Sequence, residues 1–150
     1  MATKKRDEHA SLKAAHEVFL NLVRAESEKM REVNSFLSGY GLTDPQYNVL
    51  RILRGAGKDG LPCGKISERM LTQLPDLTRL VDRLEKEGYV TRARSAGDRR
   101  VILIRISASG LELLRDVDNP ILELHAAQFA SLTSSEIREL GRLLQKARRN

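Results

Sequence analysis

Between residues 77 and 84 the side chains Leu77, Leu80, Val81 and Leu84 recur at i, i+3, i+4 and i+7, the spacing of one helix face. Such a face must be buried, so this helix needs a core around it. Pro75, Arg79, Asp82, Arg83 and Lys86 fall on the opposite face. Pro75 lacks an amide hydrogen and is tolerated only in a first turn, which predicts a start between Thr72 and Leu74 and a helix over about 74–87. Gly88 follows the last periodic residue, where a left-handed cap stops a helix. Upstream, Gly64 opens a shorter helix that covers 66–71, with Ile66 and Met70 on one face. The short interval between the two makes them a helix-turn-helix.

Residues 89–94 (YVTRAR) and 101–107 (VILIRIS) are rich in β-branched side chains and read as strands. The intervening SAGDRR is a turn with Gly97 free to take positive φ and two arginines at its far end. A helix-turn-helix followed by a hairpin with a cationic tip is a winged helix. Its dimensions suit a duplex: a helix fits the major groove, and the hairpin brings guanidinium groups to the narrow minor groove.

The segment LTRLVDRLEKEGYV followed by Asp98-Arg99-Arg100 and VILIRIS resembles the MarR family of bacterial transcription regulators, and the likeness extends over nearly the whole chain. The resemblance implies that the LTRLVDRL helix is the recognition helix. It implies that Arg100 sits at the minor groove and that Asp98 holds it there. It also implies a homodimer on a pseudo-palindromic operator, released by a small anionic or aromatic effector. Pro75 is a departure, since many relatives carry a small or flexible residue there.

The chain has 150 residues, enough for one domain with a proper core, and a net charge of +6 that favours an anionic partner. Ten basic and six acidic side chains lie between Lys65 and Arg105, so +4 of that charge belongs to the helix-turn-helix and hairpin. The single Cys63 excludes an internal disulfide framework, and a lone thiol beside a turn reads as inert more readily than as a peroxide sensor. His9, His16 and His125 have no metal-ligand spacing with one another or with Cys63, so neither metal nor cofactor is expected. No apolar run has the length of a membrane span or the form of a signal peptide, which points to a cytoplasmic protein. The absence of Trp argues against stacking-based recognition of single strands. No glycine-rich phosphate loop, nucleophile elbow or paired-carboxylate motif supports an enzyme.

Outside the central module the chain is helical and amphipathic. Leu12, Ala15, Phe19, Leu22, Met30, Val33 and Leu37 predict one long helix over about 8–37, preceded by a frayed, charged end. Thr43-Asp44-Pro45-Gln46 has the form of a capping box with Leu42 and Tyr47 as its staple, and the helix it opens ends at 55–57. Lys58-Asp59-Gly60 is a turn, and the following LPC is placed as a short strand against the wing. Ser107 caps a helix bearing Leu111, Leu114, Val117, Ile121 and Leu124, which Pro120 should kink or restart. Thr133 and Glu136 form a second capping box before Ile137, Leu140, Leu143 and Leu144. The fold class is therefore mainly α with a small β-hairpin. A single domain is expected, with a winged helix-turn-helix core over about 40–107 and dimerisation helices over about 8–38 and 108–150.

The candidate DNA contacts are Lys65, Ser67, Gln73, Pro75, Thr78, Arg79, Arg83, Arg99 and Arg100, with Asp98 positioning the wing. Gln pairs with adenine and Arg with guanine in bidentate fashion, while Arg99, Lys65 and Ser67 suit phosphates. Asp76 serves the helix dipole or accepts from a cytosine amine. Asp82 is one turn from Thr78 and Lys86, so part of this face is internally paired. The competing class is a winged helix used for protein–protein contact, which has no need of cations on both the helix and the wing.

Overall fold

The computed structural model describes residues 2–149, with side chains from Ser11 to Arg149. The described residues form six α-helices and one hairpin in the order α1 (Ala2–Ser38), α2 (Asp44–Ala56), α3 (Cys63–Arg69), α4 (Leu77–Lys86), β1 (Val90–Arg94), β2 (Ile102–Ile106), α5 (Ala108–Gln128) and α6 (Ser134–Ala147). A short 3₁₀ turn (Gly57–Asp59) joins α2 to the segment before α3. The class is mainly helical with a two-stranded antiparallel sheet, as the periodicities predict.

α2 is the central scaffold and touches α1, α3, α4, α5 and β2. Its capping box forms as expected: Thr43 accepts from the Gln46 amide, and the Gln46 side chain accepts from the Thr43 amide. Leu42 and Tyr47, the staple residues, are both buried. Val49, Leu50 and Leu53 then meet Ile66 of α3, Val81 and Leu84 of α4, Val90 and Ile104 of the hairpin, and Leu114 and Val117 of α5 in one core. In the hairpin Val90 faces Ile106 and Arg94 faces Ile102. Leu61 adds a single bridge to Ile104, so the strand expected at LPC is reduced to one residue pair.

Several boundaries differ from the sequence reading. α1 begins at Ala2, because no Pro or Gly interrupts the helix formers before Glu8. α3 begins at Cys63, with Pro62 as its N-cap, and ends at Arg69, so Gly64 lies inside it and Leu71 beyond it. α4 begins at Leu77 rather than at 72–74. Asp76 is its N-cap, and its carboxylate accepts from the Arg79 amide at 3.1 Å. A carboxylate there satisfies an orphan amide and complements the dipole, so Pro75 stands just outside the helix instead of in its first turn. Gly88 has φ +81° as expected, whereas Gly97 is not in the left-handed region. At the wing tip Asp98 does that work: its carboxylate accepts from the Arg100 amide and its carbonyl accepts from the Val101 amide. α5 continues through Pro120 without a restart. Leu114, Val117 and Ile121 are buried on both sides of the proline, and that packing outweighs the lost hydrogen bond.

The chain ends leave apolar surface uncovered. Leu12, Val18, Phe19, Leu22 and Val23 of α1 are exposed, as are Ile137, Leu143 and Leu144 of α6. No residue of α6 is buried within the single chain.

Candidate nucleic-acid interface

α4 presents its polar face to solvent because its apolar face is locked down by Leu77, Val81 and Leu84. Thr78, Arg79 and Arg83 are all exposed on it. The Arg79 side chain is 81% exposed yet not free to wander, since its guanidinium meets Asp76 at 3.2 Å. Arg79 and Arg83 border a recess of about 400 Å³ that also includes Pro75 and the start of α2. Thr78 faces the other side, into a cleft of about 480 Å³ shared with Arg100 and Ile102 of the wing and floored by Cys63 and Ile104.

At the wing, Arg100 is 91% exposed and its Nε and one terminal nitrogen donate to Asp98 at 3.1 and 3.2 Å. The Arg100 guanidinium, and then its backbone amide, hold the Asp98 carboxyl below its ordinary range. Asp98 and Arg100 are thus joined by hydrogen bonds through both side chain and backbone at the wing tip. Arg99 is exposed beside it.

The remaining candidates divide. Gln73 is exposed in the α3–α4 turn, where Asn48 of α2, itself buried, accepts from the Leu71 amide at 3.3 Å. Lys65 is engaged by Glu68 at 2.8 Å, which weakens its claim on a phosphate. Ser67 is exposed on α3. Asp82 is paired across the cleft with Arg92, at 2.6 Å, and not with Lys86 along its own helix. Arg92 escaped the sequence reading except as one charge among ten. Its signal lay in the strand period, since it shares a face with the buried Val90.

Cys63 is half-buried at the start of α3, and burial pushes its thiol pKa up, against a smaller lowering by Arg92. A raised thiol is a poor nucleophile at neutral pH. Among the described residues no group of three or more acidic, His or Cys side chains is placed to hold a metal ion. The His9 side chain lies outside the described residues. No described helix is long and apolar enough to cross a membrane.

Comparison with known proteins places this architecture. The MarR family model matches residues 42–102, the segment from the staple of α2 to the start of β2. A MarR transcription factor structure from Planctomyces limnophilus is 35% identical, covering 87% of this chain and 94% of that one, with a TM-score of 0.67. A mutant MarR from Escherichia coli complexed with operator DNA is 27% identical over 84% of this chain and 89% of that one, with a TM-score of 0.76. The transcriptional repressor IacR of Pseudomonas putida is 28% identical over 85% of this chain and 75% of its own length. A chain with this core, this hairpin and a 35% identical relative matched along almost its full length belongs to the MarR family, as a transcription regulator and not an enzyme.

Proposed function

We propose that the protein is a homodimeric repressor that reads a pseudo-palindromic operator, with α4 in the major groove and the 95–100 wing at the minor groove. The observation that carries this reading is that both elements present an exposed arginine pre-set by a neighbouring aspartate: Arg79 of α4, held by Asp76, and Arg100 of the wing, held by Asp98. A cleft between a groove-reading helix and a wing has the form needed to straddle one sugar-phosphate strand. Thr78, Arg83, Gln73 and Pro75 then border the bases or flanking phosphates, and Arg99, Lys65 and Ser67 the backbone. The similarity to a MarR solved on operator DNA supports the same reading.

The dimer rests on the exposed apolar side chains of α1 and α6, which lie in the terminal segments of about 8–38 and 108–150. A two-fold pair would set its recognition helices about 34–36 Å apart, one duplex turn. Family resemblance adds a small anionic or aromatic effector as the releasing signal, for which benzoate is a simple probe.

The test is titration of the purified protein onto its own upstream DNA at several salt concentrations, beside an unrelated duplex of equal length. Salt-sensitive binding that prefers an inverted repeat is expected, with a slope that counts neutralised phosphates. Equal weak binding to both duplexes leaves only a basic surface. No binding to either duplex at low salt moves the protein-contact reading to first place, and full operator binding by Arg79→Ala/Arg100→Ala would remove these two arginines from the contact. Phe19→Glu with Leu143→Glu should yield monomers in sedimentation; a persisting dimer would remove α1 and α6 from the interface.

A further inference from the structure

The DNA reading leaves Arg92, Arg94 and Arg105 of the hairpin unused, and among the described residues Arg92 is the one of these paired with carboxylates of α4. Arg92 lies opposite the buried Ile104 on β1, on the hairpin face that looks toward α4. Its side chain is only 26% exposed, far less than those of Arg79 and Arg100. The guanidinium forks, donating to Asp82 at 2.6 Å and to Glu85 at 2.5 Å. Asp82 and Glu85 are three residues apart on α4, so the fork grips one full turn of the helix. Among the described residues these are the side-chain hydrogen bonds that join α4 to the hairpin.

We infer that Arg92 is a positioning residue that fixes the angle between α4 and the wing, so that both grooves are engaged at once. The inference rests on the DNA-binding reading above. The two elements are connected covalently through residues 87–89 at one end, while the wing tip at the other end is exposed and carries Arg100. Val90 and Ile104 pack with Val81 and Leu84 in the core and Leu61 bridges Ile104, so packing holds the base of the hairpin, while its angle to α4 depends on what crosses the cleft between them. Arg92 supplies the crossing. A planar guanidinium reaches two carboxylates at fixed geometry, which a lysine ammonium does not reproduce. The same fork neutralises two acidic groups that would otherwise face the phosphate strand.

Geometry and charge make opposite forecasts, and that separates them. Asp82→Asn/Glu85→Gln removes two negative charges from the interface. A charge effect alone would tighten binding to every duplex. Loss of positioning lowers the ratio of operator to non-specific affinity even as non-specific binding tightens. Arg92→Lys keeps the charge, so it should leave non-specific binding and its salt slope unchanged while the operator ratio falls about three- to thirty-fold. Direct phosphate contact by Arg92 would instead show in Arg92→Gln as a salt slope lowered by about one on both duplexes.

Hydrogen exchange of the hairpin amides supplies a readout that needs no DNA. Both Arg92→Lys and Asp82→Asn/Glu85→Gln should speed exchange in β1 and β2 while amides of α2 keep wild-type protection. Retention of the wild-type operator ratio by both variants would overturn the inference. Should the wild type itself show no operator preference, the DNA reading fails on that titration alone. Hairpin exchange then decides the clamp, and unchanged exchange in both variants would sink it.

Discussion

The guanidinium of Arg54 on α2 meets the carboxylate of Asp118 on α5 through two hydrogen bonds, 2.7 and 2.9 Å long, across 64 residues of sequence. This fork–fork contact ties the DNA-binding scaffold to the long helix that leaves it. The Arg54 hydrogen bonds hold the Asp118 carboxyl below its ordinary range, against a smaller upward push from burial. A lowered folded-state pKa means that the unfolded chain takes up a proton first. The stabilisation is therefore complete above the ordinary Asp range and is lost as pH falls below about 4 toward the folded value. Both side chains are more than a third exposed, so solvent screening limits the contribution to about 0.5–1 kcal/mol. Urea midpoints measured between pH 7 and pH 2.5 should fall less steeply for Asp118→Asn than for the wild type. Parallel curves would show the pair to be thermodynamically silent.

Arg79 and Arg99 should fail in different ways. Arg79→Ala is expected to cost about 1–3 kcal/mol on the operator and to relax preference at one base position, because a helix arginine reads a base edge. Arg99→Ala should weaken all duplexes alike and lower the salt slope by about one. Binding to a set of single-base operator variants at three salt concentrations distinguishes the two. Identical profiles for both variants would contradict the assignment of roles.

Gly60 is required by its surroundings as well as by its turn. It has φ +71°, and an added Cβ would stand 2.5 Å from the Ile104 carbonyl oxygen and 2.6 Å from Arg105 Cγ. The same Ile104 carbonyl accepts from the Leu61 amide at 2.9 Å, so there is no slack for a methyl group. Gly60→Ala should destabilise the protein by about 2–4 kcal/mol, combining left-handed strain with overpacking. Thermal unfolding tests this, and a midpoint equal to the wild type would show that the segment shifts freely.

Cys63 should behave as a quiet thiol. Its raised pKa keeps it protonated at neutral pH, so alkylation by iodoacetamide should run slower than for free cysteine. Operator binding by Cys63→Ser should match the wild type, with and without peroxide. Release of wild-type protein by peroxide, abolished in Cys63→Ser, would restore the sensor reading.

Wherever a local rule had no competitor, the residues were legible. The Leu77–Leu84 stripe, the Thr43 and Thr133 capping boxes and Gly88 all fold as their spacing demands, and the hydrogen bonds between Asp98 and Arg100 are those that the family resemblance implies. Where two local signals compete, the side chain that supplies a hydrogen bond prevails over the residue that merely permits a backbone conformation. Pro75 argued for an early start to α4, but the Asp76 carboxylate makes the cap, and Gly97 argued for a left-handed turn that the Asp98 side chain builds without it.

Sequence periodicity alone determined that this chain has a helix-turn-helix, a cationic hairpin and amphipathic helices at both ends, because each is a short-range pattern with one buried face. Only the tertiary structure decided which charges stay exposed and which pair with another element. Arg79, Arg92 and Arg100 are indistinguishable as letters, yet Arg92 is spent on Asp82 and Glu85 while Arg79 and Arg100 stand exposed. The reason is physical: pairing between charges depends on distances set by the packing of α4 against the hairpin, and no local spacing encodes that contact. The Arg54–Asp118 contact belongs to the same class, since its partners meet only after α2 and α5 have closed on a common core.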